Sequence, residues 1–260
     1  MNKIKAATLL STAILGVSMA VPVFAAGTTT ATATQSGQTH AYISFHGKSD
    51  GTNPLDPSDP STPDPGNSTG NPGPLSLDAV PNTLNFGDHE LSDTTVGDHT
   101  YALVGNADNA TSGAEKDSAT HEKDPATTDV SGAVYTQVTD ERGTGAGWNV
   151  TAQLAKFQND GADTLDGAVM TFASGKTQKL ATDADGNLTW GTADITVPSA
   201  VSLTAGGGDT AVENAAEGTG KGTQQQVWEN ANVNLKVIQD SARPGNSTST
   251  ITWTLNDTPA

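Results

Sequence analysis

The sequence predicts an all-β fold: an antiparallel β-sandwich or barrel-like domain with long polar loops, preceded by a Pro-rich linker. Three observations carry that reading. Trp148, Val150, Ala152 and Leu154 alternate with Asn149, Thr151 and Gln153, and near the C-terminus Ile251, Trp253 and Leu255 alternate with Thr252, Thr254 and Asn256. A period of two places large apolar residues on one pleated face and polar ones on the other. Other short alternating runs follow the same rule, separated by Gly, Asn and Asp turns, with little helical periodicity between them. Composition agrees, because Thr, Ala, Gly, Asn and Asp abound while aromatics make up only 5% of the chain.

Taken in order, residues 1–25 read as an export signal. Lys3 and Lys5 supply a positive start, Ala6 to Val21 is largely apolar, and Val23-Phe24-Ala25 presents small residues before a cut preceding Ala26. Residues 26–74 combine a flexible leader, a short strand-like patch and a Pro/Asp-rich spacer. Gly27 to Thr39 has no periodicity. The patch Ala41-Tyr42-Ile43-Ser44-Phe45 either folds back as an edge strand or stays free to add to a partner's sheet. Asn53 to Pro74 holds seven prolines, and a run that cannot form a ladder is expected to be extended and solvated.

The domain is expected over residues 75–260. Leu75, Leu77 and Ala79 alternate, Leu84 and Phe86 follow, and Ser92 to Asp129 reads as a polar surface loop. Val134, Thr136 and Val138 resume alternation before the first Trp strand. Further strands are expected at Ala168 to Phe172, at Leu180, and at Leu188 to Trp190, the last two joined by an Asp183-to-Asn187 hairpin turn. Ile195 to Val197, Val201 to Leu203, Val227-Trp228 and Val233 to Val237 come next, with a turn or two of helix conceivable over Ala211 to Gly218. The final Trp strand closes the chain.

Charge and composition exclude several function classes. The chain has 12 Lys+Arg against 29 Asp+Glu, and removal of Lys3 and Lys5 with the signal leaves a net charge of −19. Neutralising phosphates needs clustered cations, so neither nucleic acid nor anionic lipid is an expected partner. Direct membrane insertion is not expected either. With no cysteine, disulfides, thiol nucleophiles and thiolate metal sites are excluded. The C-terminal Thr258-Pro259-Ala260 carries no hydrophobic tail or Leu-Pro-x-Thr-Gly sorting sequence, so surface retention is expected to be non-covalent.

Several blocks together resemble the WxL family of Gram-positive cell-surface proteins. The opening Leu75-Ser76-Leu77-Asp78-Ala79-Val80-Pro81, with Leu84-Asn85-Phe86-Gly87 behind it, is similar to the family's domain start. Val138-Thr139-Asp140-Glu141-Arg142-Gly143 followed by Gly147 and Trp148 to Leu154 is similar to the proximal motif block, with Val150 where Leu is usual. Ile251 to Pro259 is similar to the distal block, although an aromatic often found ahead of it is replaced by Ser247 to Ser249. The resemblance implies a secreted protein held on a Gram-positive cell wall. It implies peptidoglycan or another cell-wall glycan, a membrane-anchored WxL-interacting protein, and other WxL proteins as partners.

Candidate site residues follow from these motifs. Trp148, Val150, Trp253, Leu255 and Pro259 form the motif set, and burial of the two indoles in the core is favoured over direct sugar stacking. Asp140 and Arg142 are the candidate binding residues, either as a turn-stabilising ion pair or as a surface fork that presents Arg142 to a carboxylate. No cofactor, metal or catalytic residue is expected. The five histidines (His40, His46, His89, His99 and His121) show no zinc spacing, and Gly66-Asn67-Ser68-Thr69-Gly70 lacks the strand and helix that a nucleophile elbow needs. A non-enzymatic surface protein is therefore expected, with a pilin-like or adhesin subunit and, behind it, a wall hydrolase as alternatives. A net charge of this size predicts repulsion from anionic wall polymers within about 8–10 Å. Attachment must then use short-range contacts or bridging divalent cations.

Overall fold

The computed structural model describes residues 41–46, 50–104 and 133–260. Among them, residues up to Ser44 form one unit and Phe45–Ala260 another. The larger unit is all-β. Its strands are β1 (Leu75–Ala79), β2 (His99–Ala102), β3 (Val134–Asp140), β4 (Trp148–Leu154), β5 (Phe157–Asn159), β6 (Ala162–Thr164) and β7 (Val169–Ala173). They continue as β8 (Lys176–Thr182), β9 (Leu188–Gly191), β10 (Ala200–Thr204), β11 (Thr210–Ala215), β12 (Gly222–Trp228), β13 (Val233–Val237) and β14 (Ile251–Asn256).

The strands form antiparallel sheets in the orders β1-β3-β12-β8-β9, β10-β7-β13-β2 and β11-β4-β14, with a β5-β6 hairpin. No sheet closes on itself, so the fold is a sandwich and not a barrel. The three larger sheets share one apolar core containing Val138, Trp148, Val150, Phe172, Leu203, Val212, Trp228 and Val233. Phe172 knits it together: its ring lies 5.3 Å from that of Trp228 on β12 and 5.9 Å, edge-on, from that of Trp253 on β14. The β8–β9 hairpin turns at Asp183, whose carboxylate accepts the Asp185 and Asn187 amides. Those bonds, with the Asn187 side chain foremost, lower the Asp183 pKa.

Two local readings differ from the structure. The Ala211–Gly218 stretch is not helical. Its first five residues belong to β11, because Val212 and Ala215 find buried positions beside β4 that an isolated helix without an apolar stripe would not have. Part of the polar stretch after Ser92 is strand β2, which pairs with β13 and leads into the buried Leu103. The rest of that expected loop lies outside the described residues. Residues 41–46 carry no strand, and Tyr42, Ile43 and Phe45 are 92%, 75% and 86% exposed.

The spacer also departs from expectation. Pro54, Pro60 and Asn67 are buried, a bridge joins Leu55 to Pro63, and Pro65–Asn67 form a 3-10 turn. Prolines remove main-chain donors but leave every carbonyl as an acceptor. The five-stranded sheet supplies the donors from side chains. Gln137, Gln225 and Gln178 occupy one cross-strand row on β3, β12 and β8. Gln225 Nε2 donates to Gln137 Oε1 at 2.9 Å, and Gln178 Nε2 donates to Gln225 Oε1 at 2.8 Å. The same amides hold the spacer backbone: Gln137 donates to Asn53 O, Gln225 to Leu55 O and Gln178 to Pro57 O. The Leu55 amide returns a bond to Gln137 Oε1, and Trp190 Nε1 reaches Asp56 O at 3.1 Å. Tyr135 completes the seat by donating to Asp64 at 2.9 Å; burial and the Asp64 charge push its pKa up. A proline-rich segment thereby becomes a strap across one face of the body.

Candidate functional site

β4 is the central strand of its sheet, with β11 on one side and β14 on the other. The β4–β14 register places Leu255 opposite Val150, Trp253 opposite Ala152 and Ile251 opposite Leu154. Partners directly opposite share a face. The two Trp motifs are therefore adjacent strands with their apolar faces aligned. Trp148 is wholly buried, and its Nε1 donates to Gly220 O at 3.0 Å, which satisfies the one polar atom of the indole. Val150 is wholly buried as well. Trp253 and Leu255 are half-buried, because β14 is an edge strand whose outer side has no neighbouring strand.

Asp140 and Arg142 lie where β3 gives way to the Gly-rich turn. Arg142 Nε donates to Asp140 Oδ1 at 3.0 Å and Nη2 to Asp140 Oδ2 at 2.8 Å, a two-pronged ion pair. The guanidinium also donates to Gly147 O at 2.7 Å and to Asp257 O at 3.3 Å. Its bonds to Asp140 raise its already high pKa. Arg142 thus spans from the proximal turn to the residue that follows β14. Asn149 extends this clasp by donating to Thr258 O at 2.6 Å, while Asn256 Nδ2 donates to Asn149 Oδ1 at 3.0 Å. The Ala260 amide donates to Asn214 Oδ1 at 2.7 Å. Pro259 is exposed, yet it packs so near Gly147 that a side chain there would meet it at 3.0 Å. All seven candidate residues therefore gather around the β4–β14 pair and its C-terminal tail.

Sequence reasoning missed a buried polar layer beneath this pair. Glu213 on β11 is opposite Val150, is 1% exposed, and accepts from Thr136 on β3. Its other carboxyl oxygen has no hydrogen-bond partner among the described residues, nor do Gln224 Oε1, either amide atom of Gln226, or Trp228 Nε1. Desolvation pushes the Glu213 pKa up to about 7, against a smaller opposite effect of the Thr136 bond. The run Gln224-Gln225-Gln226 was the available signal. In a strand it must send polar amides to both faces.

Elsewhere the structure stacks His89 on Tyr101, ring centroids 3.8 Å apart, with His99 at 6.0 Å. His46 is exposed, and His40 and His121 lie outside the described residues. Among the described residues no cluster of His, Asp and Glu could hold a metal ion, and no helix is long and apolar enough to cross a membrane.

The central and edge strands of one sheet of this antiparallel sandwich are thus the two Trp motifs, locked together by a C-terminal clasp. The family model for the WxL domain, described as surface cell wall-binding, matches residues 32–259. This chain belongs to that family. No curated protein and no solved structure matches it. Membership makes it a cell-surface protein with a cell-wall-binding domain.

Proposed function

We propose that this chain is a non-enzymatic, secreted protein held non-covalently on a Gram-positive cell wall by residues 75–260, after removal of residues 1–25. The observation that supports this most is the family match across both Trp motifs, joined here as neighbouring strands of one sheet. In this reading the direct ligand is peptidoglycan or another wall glycan, and a membrane-anchored WxL-interacting protein is a second partner. Trp148, Val150, Trp253 and Leu255 build the binding body, and Pro259 and the Asp140–Arg142 pair fasten its tail. The geometry of Arg142 supports the structural role over the surface fork, because Asp140, Gly147 and Asp257 already engage all three of its nitrogens.

The family description favours wall binding over a structural-subunit or hydrolase role. Purified sacculi should retain the protein in moderate NaCl, because like-charged surfaces are held by short-range contacts that salt barely weakens. A zymogram of the same preparation should show no clearing. Loss of retention at moderate salt, or a clearing band, would overturn the reading.

A further inference from the structure

The two faces of the β14 strand differ in one decisive respect. Thr250 O accepts the Ala155 amide, and the ladder then places Thr252, Thr254 and Asn256 in the hydrogen-bonded pairs with β4. The main-chain groups of Ile251, Trp253 and Leu255 consequently point away from β4, toward the open edge. Beside that edge lies an open groove of about 380 Å³, lined on one side by Trp253, Thr254 and Leu255 and on the other by Asn71, Pro72 and Leu75 to Leu77. The nearest alternative edge, that of β1, is already engaged. The Thr69 amide bonds Asp78 O, the Val80 amide bonds Asn67 O, and Asn71 Nδ2 bonds Leu77 O. The groove therefore offers unpaired backbone on its β14 side, next to the half-buried side chains of Trp253 and Leu255.

The same chain carries a segment with the matching properties. Tyr42, Ile43 and Phe45 are strongly exposed, and residues 41–46 form no strand. Ala41, Ile43 and Phe45 alternate with Tyr42 and Ser44, so a strand formed here would have one apolar face, and its five residues would pair along most of the six-residue β14. Charge matches as well. The first 49 residues contain no Asp or Glu, and all 29 acids fall from Asp50 onward. An acid-free strand is thus offered by a chain whose body is strongly acidic.

We propose that residues 41–45 of one copy add as a strand to the β14 edge of a second copy, with Ile43 and Phe45 seated on Trp253 and Leu255 in the groove. Main-chain bonds to Ile251, Trp253 and Leu255 supply the affinity, and cross-strand contacts between aromatic and aliphatic side chains set the register. Donor and acceptor are different surfaces, so the contact is head-to-tail and builds rings or open chains of copies on the wall. It goes beyond wall binding, which a single copy performs through the body.

The absence of cysteine permits a clean test. Full chain carrying Ser44→Cys is mixed with differently tagged full chain carrying Thr252→Cys or Thr254→Cys and then oxidised. All three positions are exposed, and none contributes to the core. Mixed-tag disulfide dimers should form with one of the β14 variants and not with a Ser202→Cys control on β10. Sedimentation of the cysteine-free chain should show association that rises with concentration, and Ile43→Asp should weaken it roughly tenfold or more, since a buried Ile becomes a charge. Unchanged retention of Ile43→Asp on sacculi keeps this result separate from wall binding. Monomers at every concentration, or disulfides formed only within single chains of a Ser44→Cys/Thr254→Cys double variant, would overturn the proposal.

Discussion

Glu213→Gln should remove one component of the pH dependence of stability, the one that weakens the fold as pH rises. Glu213 is buried against Thr136, and its pKa moves from an ordinary 4.5 to about 7 in the fold, chiefly through desolvation. Below pH 4.5 the carboxyl is neutral in both folded and unfolded chains and contributes nothing to the difference. Between 4.5 and about 7 the unfolded chain releases the proton while the folded chain keeps it, so stability falls as pH rises. Above about 7 both states are ionised and the loss is complete. At 1.36 kcal/mol for each tenfold step, the full loss is about 3 kcal/mol. Gln stays neutral throughout and keeps an oxygen to accept from Thr136. The two proteins should therefore match near pH 4.5 and diverge steadily, with the variant about 3 kcal/mol more stable at pH 8. Urea unfolding followed by tryptophan fluorescence at five pH values from 4.5 to 8.5 measures this. Comparison with the variant cancels the exposed carboxylates, such as Asp98, Asp163 and Glu229, whose pKa values are lowered by lysine partners and which act in the opposite direction. A stability difference that stays constant with pH would refute the reasoning.

Three further outcomes are expected. Arg142→Lys keeps the charge but loses the planar fork, and should cost about 1–3 kcal/mol in urea unfolding while speeding carboxypeptidase removal of residues 257–260. Gln225→Leu leaves Leu55 O, Gln137 Oε1 and Gln178 Nε2 short of a partner. It should lower stability by roughly 2–3 kcal/mol and open residues 53–74 to limited proteolysis, whereas an unchanged cleavage pattern would mean that the ladder does not hold the strap. Gly220→Ala places a methyl group against Ala215 and 2.7 Å from Trp148 Nε1, at a φ of +71°. A loss of more than about 2 kcal/mol and a red shift of indole emission are expected from the combined strain and displacement of Trp148.

Much of the fold was legible because strand alternation is a local property. Trp148, Val150, Ala152 and Leu154 declare their shared face within seven residues, as do Ile251, Trp253 and Leu255. The Asp140–Arg142 pair was likewise legible, since two residues that close in sequence meet without help from the rest of the chain. The polar layer was not. Glu213, Gln224 and Gln226 resemble surface residues until three strands distant in sequence close over them. The strap was missed for a related reason: proline content announces a missing ladder but says nothing of glutamines 80 or more residues away that can hold the carbonyls instead.

By itself the sequence determined the period-two faces, the acidic body with its acid-free N-terminal region, and the family motifs, all of which depend on residue type and short spacing. Tertiary structure alone decided that the two Trp strands are neighbours, that Trp148 is sealed while Trp253 borders a groove, and that the spacer lies down on a row of glutamines. Those outcomes depend on the register between distant strands. Register is set by the summed fit of many side chains across the sheets, which no single stretch of chain contains.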